Sequence, residues 1–229
     1  MLAEVIRWLG LGLCHQLPER SFSAGGVQLP VCARDTGIYI GVMASILVIW
    51  LLQKGRRPSG FPSVGLALIL AGFIGAMALD GITSYAGLRT TTNDLRLLTG
   101  LSAGYAIGAL VVPIVNGELF RRSSSERVLE GSWRVAVWVA SVPAVFALLR
   151  WGAPFLQAGY AILTALCIIA TFGAVNLAIV SLAPPFERSV ERMRDAALPL
   201  AVALALTGVE HWIGALLRLR MLDFATSFQ

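Results

Sequence analysis

Charge is what this chain has least of. Only 14% of its 229 residues are Asp, Glu, Lys or Arg, where a soluble domain carries about 25%. Hydrophobic residues make up 57%, and the mean hydropathy is +0.76. That scarcity excludes an ordinary soluble protein and leaves an integral membrane protein. No soluble domain interrupts the apolar runs, and no internal repeat is evident. The N-terminus reads as a poor signal peptide: MLAEVIRWLGLGLCHQ carries Glu4 and Arg7 and has no small-residue cleavage site. Leu13 stands where a lipoprotein signal has a small residue, which argues against lipidation of Cys14. The net charge of +5 and pI near 9.6 do not indicate nucleic acid, because the basic residues fall in short clusters between apolar runs.

Six of those runs are long enough to cross a bilayer, each needing about 20 apolar residues. They lie at about 37–53, 63–80, 95–116, 134–150, 156–182 and 196–217. The expected fold is therefore all-α: one polytopic bundle of about six spans over 1–229, with residues 1–36 as an N-terminal cap. Residues 1–13 are too short to cross. With Val5, Trp8 and Leu9 on one side and Glu4 and Arg7 elsewhere, they suit an interfacial or packed half-helix.

Basic residues sort by side of the membrane. Lys54, Arg56, Arg57, Arg121, Arg122, Arg127, Arg134, Arg188, Arg192 and Arg194 fall on one side, ten in all; Arg7, Arg20, Arg34, Arg89, Arg96, Arg150, Arg218 and Arg220 fall on the other, eight. The expectation is a multi-pass protein of the cell inner (cytoplasmic) membrane with both termini extracytoplasmic. An even number of spans also brings residues 14–36, the connection 80–95 and the far end of the sixth span to one face.

That face collects the unusual polar residues. Cys14-His15, sixteen residues, then Cys32-x-x-Asp35 supplies the donor types and number of a tetrahedral zinc or other transition-metal site. A Cys14–Cys32 disulfide is the alternative in an oxidising compartment, closing a loop of about 18 residues for about 3 kcal/mol. Two free packed thiols are the third possibility. Cys167, inside the fifth span, reads as a small buried hydrophobe.

The runs Cys14-His15-Gln16-x-Pro18-x-Arg20-Ser21 and Leu29-Pro30-Val31-Cys32-Ala33-Arg34-Asp35-Thr36-Gly37-Ile38-Tyr39 resemble a bacterial and archaeal membrane family, domain of unknown function 2085. Asp80-Gly81-Ile82-Thr83 and Arg89 to Asn93-x-x-Arg96-x-x-Thr99-Gly100 continue the resemblance, which covers about the first half of the chain. It implies a topology class and no particular reaction. Members of the family usually carry a second cysteine where this chain has Asp35, a departure that keeps an oxygen donor competent for zinc.

LDGITSYAGLRTTTNDLRLLTG holds a second constellation. Thr91-x-x-Asp94 reads as a capping box, starting the third span near Thr92. Gly100, Gly104 and Gly108 then form a small-residue stripe, matched by Gly37, Gly41 and Ser45 on the first span and by Gly72 and Ala76 on the second. Tight packing of the three is expected to bring Asp80 and Arg96 together as a clasp. Arg20, Arg34, Arg89, Asn93 and Arg96 are the candidate anion site, since guanidinium forks suit phosphate or carboxylate groups.

Glu210 and His211, in the sixth span, are a third feature. Ionisable groups at membrane depth are functional candidates by default; with Asp80 they are the candidate catalytic residues. Glu210, Gly214 and Arg218 share a helix face, so an acid–base relay is geometrically possible. Asn116 and Asn176 read as interhelical hydrogen-bonding residues.

The function expected is a polar site at one membrane face that binds a metal and an anionic lipid or phosphate group. A metal-dependent hydrolase or transferase acting on a lipid-linked substrate is one alternative, and a small transporter or structural accessory protein another. The expected partners are the bilayer and an anionic or lipid-linked ligand.

Overall fold

Apolar runs of this length satisfy every backbone hydrogen bond within themselves, so lipid makes them helices. The computed structural model describes residues 2–226. Among these, the helices are α1 (Leu2–Leu11), α2 (Ala33–Leu52), α3 (Val64–Tyr85), α4 (Asn93–Leu119), α5 (Ser132–Leu156), α6 (Gly159–Ser181) and α7 (Ala197–Thr226). Six of them, α2 to α7, are long and apolar enough to cross a membrane. The protein is thus a multi-pass helical membrane protein. The chain ends, residues 1 and 227–229, lie outside the described residues. Four two- to four-residue strands, β1 (Ser23–Ala24), β2 (Val27–Gln28), β3 (Pro58–Gly60) and β4 (Ser124–Arg127), tie loops together at the two faces. β1 and β2 pair antiparallel around Gly25-Gly26, both at positive φ (57° and 74°), the conformation a tight two-residue hairpin requires.

Burial ranks the helices. In α4, 56% of the apolar stretch is buried inside the protein, against 17% in α3 and α5, which makes α4 the hub. It meets α2 along the expected glycine seam. A Cβ on Gly100 or Gly104 would overlap the carbonyl oxygen of Arg34 or Ile38, and one on Gly41 would stand 2.6 Å from that of Leu101. Backbones this close gain dispersion contacts that lipid chains cannot match. Ser45 continues the seam: its Oγ donates to the Tyr105 carbonyl at 2.9 Å and accepts from Trp138 Nε1 at 3.0 Å, which binds α5 to the same core.

One expectation fails here and another holds in part. Gly72 has open space around it and Ala76 is exposed, so their stripe on α3 faces lipid, and α3 reaches α4 through its other side. α1 is packed, one of the two placements expected for this segment: Ile6 is buried against Ala161 and Ala165 of α6, and Leu9 packs on the same cluster. Gly12, just past α1, sits against Gly214 of α7. Val5 and Trp8, expected on the same side as Leu9, are exposed instead.

The opposite face is a staple of short loops. β3 and β4 run parallel, and Arg56–Glu126 and Arg121–Glu191 pair across loops at 3.0 and 3.1 Å. At the cap face, Arg150 at the end of α5 meets Asp94 in the first turn of α4 at 2.6 Å. The cap, the α3–α4 connection and the end of α5 meet at one end of the bundle, as an even number of spans requires.

Candidate functional site

Cys32 is the N-cap of α2 and Asp35 its third helical residue, the two positions whose side chains face each other in a capping box. Cys-x-x-Asp is built there: Cys32 Sγ donates to Asp35 Oδ2 at 3.3 Å. Cys14 arrives from the other direction. After α1 the chain turns through Gln16 at φ 54°, and Gln16 Nε2 donates to the carbonyls of Arg7 (2.7 Å) and Pro30 (2.8 Å). This tether lays Cys14 over the start of α2, where the Cys32 backbone N–H donates to Cys14 Sγ at 3.3 Å. The three donor atoms, two sulfurs and one carboxylate oxygen, lie within 4.8 Å of one another. The cysteines are free thiols, as is buried Cys167.

The two thiols are pushed in opposite directions. The hydrogen bond with Cys32 holds the Cys14 thiol down to about 7, against desolvation, which acts upward. The same bond, together with burial and the neighbouring Asp35 carboxylate, pushes Cys32 up. Cys14 is thus the more acidic thiol of the pair. His15 is exposed and lies outside the group of three, so the structure assembles three of the four expected donors.

Asp80, 1% exposed at the end of α3, is the anchor of the second constellation. Its Oδ2 accepts from Arg34 Nη2, and its Oδ1 from Arg89 Nη2 at 2.6 Å and Thr91 Oγ1 at 3.1 Å. The expected Asp80–Arg96 clasp is not formed. Arg34 reaches Asp80 first because the α2–α4 seam carries the start of α2 right beside it, whereas Arg96 Nη1 turns to Asn93 Oδ1 at 2.9 Å. Asn93 Nδ2 in turn donates to the Glu19 carbonyl at 3.2 Å, fastening the cap to α4. The helix starts near Thr92 as expected, but Thr92 itself is the N-cap, accepting from Leu95 N–H, so the expected Thr91–Asp94 capping box is not used; Thr91 is free for Asp80.

Of the five expected anion ligands, Arg34 and Arg89 are thus spent on Asp80, and Asn93 on the cap. Arg20 and Arg96 have no carboxylate partner among the described residues; Arg20 lies over the Tyr85 ring at 5.5 Å. Both line an open cleft of about 490 Å³ together with Arg89, Ser84, Thr90, Thr91 and Glu19. They also line a smaller void of about 20 Å³ beside Cys14, His15, Cys32 and Arg34. Thiols and arginines are therefore neighbours, the two spaces sharing Arg20, Ser84 and Arg96 as lining, as the expectation of a single polar face had it.

Glu210 and His211 line neither space. His211 Nδ1 donates to the Thr207 carbonyl one turn back at 2.8 Å, and its ring packs edge-on to Phe172 at 4.7 Å. Glu210 accepts from Asn176 Nδ2 at 2.9 Å, and the same amide reaches Thr207 Oγ1 at 3.0 Å. The expected partner Arg218 is not the one used; the carboxylate is held across the α6–α7 interface instead. Asn116 Nδ2 donates to the Pro58 carbonyl at 3.0 Å, so both asparagines do bridge elements.

Comparison with known proteins matches residues 14–110 to a family described as predicted membrane protein, DUF2085. That stretch contains the cap from Cys14 onward, α2, α3 and most of α4, hence all of the thiol and arginine site, and excludes α1, Asn176, Glu210 and His211. An uncharacterized protein of Methanocaldococcus jannaschii is 34% identical over 113 residues, spanning 48% of this chain and 68% of the relative. An uncharacterized protein of Methanothermobacter thermautotrophicus is 38% identical over 98 residues, 43% of this chain and 83% of the relative. No solved structure matches. With its motifs assembled at one membrane face and archaeal relatives matched over most of their length, the chain belongs to the membrane-protein family of domain of unknown function 2085.

Proposed function

We propose that the cleft between the cap and the α3–α4 connection binds the phosphate of an anionic headgroup at the membrane surface. One observation carries the reading: four guanidinium groups, Arg20, Arg34, Arg89 and Arg96, converge where a single buried carboxylate, Asp80, neutralises two of them. Cations crowded at a membrane face without carboxylate partners are costly to hold together. A phosphate, with forked acceptors, suits the two that remain. Glu19 also lines the cleft, and its carboxylate offsets part of the positive charge there. The count of basic residues, ten against eight, supports an extracytoplasmic position for this face.

The test uses the whole protein in detergent and short-chain lipids. Phosphatidic acid and phosphatidylglycerol should bind more tightly than phosphatidylcholine, and a Arg20→Ala/Arg96→Ala double variant should lose about tenfold or more in affinity while melting with the parent. Inorganic phosphate competing with the lipid would define the phosphate itself as the ligand; failure to compete would make the glycerol backbone part of it. Equal binding of phosphatidylcholine, or an unaltered double variant, overturns the proposal.

A further inference from the structure

We propose that Cys14, Cys32 and Asp35 form a three-ligand site for a thiophilic divalent cation of the zinc type, whose fourth position opens toward the arginine cleft. The three ligands stand on the geometry of the cap alone; only the direction of the fourth position rests on the anion reading above.

The donors are already gathered. In a tetrahedral zinc site with Zn–S bonds of about 2.3 Å, neighbouring sulfurs stand about 3.8 Å apart. Here the two sulfurs and the carboxylate oxygen lie within 4.8 Å of one another without an ion between them, so coordination asks for side-chain adjustments of about 1 Å. The frame around them is fixed. Cys32 and Asp35 sit at N-cap and first-turn positions of one helix, and Gln16 fastens the Cys14 segment to the Pro30 carbonyl. The Cys32 N–H donated to Cys14 Sγ is the kind of outer hydrogen bond that orients a thiolate ligand. Two sulfurs and one oxygen select a soft or borderline ion over magnesium or calcium.

Three protein ligands with one open position is the pattern of zinc sites that engage an exogenous ligand, whereas structural sites are closed by four. The void beside the sulfurs, about 20 Å³ and bordered by Arg20, Arg34 and Arg96, has room for one water-sized atom. Arg34 Nε, buried and without a hydrogen-bond partner, belongs to its lining residue. A water or a phosphate oxygen fits this position, and a phosphate held by Arg20 and Arg96 would place an oxygen there.

The experiment is elemental analysis of the full chain purified without chelator, with thiol titration before and after reduction. About one zinc or similar ion per chain is expected, lost in Cys14→Ser, Cys32→Ser and Asp35→Ala but kept in His15→Ala. Cys32→Ser guards against misfolding, because serine is a strong N-cap and that variant should melt as a folded helix bundle. Cobalt exchanged into the site should give sulfur-to-cobalt charge-transfer absorption, and inorganic phosphate should shift its ligand-field bands. If Arg20→Ala/Arg96→Ala binds cobalt but no longer answers to phosphate, the open position faces the cleft as proposed. A cobalt spectrum indifferent to phosphate in the parent protein removes the open position and leaves the three-ligand site. Metal-free protein with two thiols appearing only after reduction would establish a Cys14–Cys32 disulfide and overturn the site; so would metal-free protein with both thiols free, or metal retained in both cysteine variants.

Discussion

Gly100 lies directly beneath the backbone carbonyl of Arg34, leaving no space for a β-carbon between α4 and α2. The contact fixes both depth and rotation of α2, and so decides which acid the Arg34 side chain reaches. Gly100→Ala should therefore force the helices apart, costing about 1–3 kcal/mol and loosening the Arg34–Asp80 pair. Gly72→Ala, into open space on α3, should be neutral or gain up to about 1 kcal/mol from helix propensity. Denaturant unfolding in mixed micelles compares the two; equal stabilities would contradict the close contact.

Asp80 joins three segments through one carboxylate, so removing its charge strands two arginines. Asp80→Asn should cost about 3–5 kcal/mol, the range for breaking a buried pair from one side. Arg89→Ala should cost clearly less, since the Arg89 side chain is 41% exposed and Arg34 still satisfies the carboxylate. Thermal melts of both variants in the same detergent decide the order. Arg96→Ala should have the smallest effect of the three, because no carboxylate depends on it.

Much of this was readable in the sequence, and the failures share one cause. Span positions, the start of α4 at Thr92 and the α2–α4 seam follow from local rules: apolar length, capping chemistry and four-residue spacing of small residues. Partner choice does not. Arg34, Arg89 and Arg96 are equivalent as letters near Asp80, and only the seam's rotation of α2 selects Arg34 and Arg89. Gly72 and Ala76 have the right spacing for packing yet face lipid, because in a membrane an apolar small residue is equally acceptable against a helix or a hydrocarbon chain. Gln16, which tethers Cys14 to Pro30, stands in the family motif with no role its letter announces; its left-handed backbone is visible only in three dimensions.

Cys14 and Cys32 should differ in reactivity. In metal-stripped, reduced protein with Cys167→Ala, alkylation of Cys14 by iodoacetamide should rise as pH increases through about 7, because the thiolate is the nucleophile and a lowered value means it forms earlier on the way up. Cys32, pushed the other way, should stay unreactive across the same range. Peptide mass spectrometry after timed labelling separates the two. Equal rates, or a Cys14 midpoint at the ordinary thiol value of about 8.5, would contradict the opposite shifts of the two thiols.

Asn176 and Glu210 set a different kind of test, away from the polar face. The Asn176 amide serves both Thr207 and Glu210 on α7, so it joins the two helices where lipid offers no replacement donor. Asn176→Leu should cost about 1–2 kcal/mol, the range for interhelical hydrogen bonds in bilayers. Glu210→Gln should change stability by only about 0.5 kcal/mol, because a glutamine oxygen accepts the same bond. Replacing both partners, Asn176→Leu/Glu210→Leu, should recover much of the loss, since an unmade hydrogen bond is costly mainly through the group left behind. The double-mutant cycle measures that coupling directly. Additive losses would show that Asn176 and Glu210 do not act as a pair, and Glu210 would again need a role beyond holding α6 to α7.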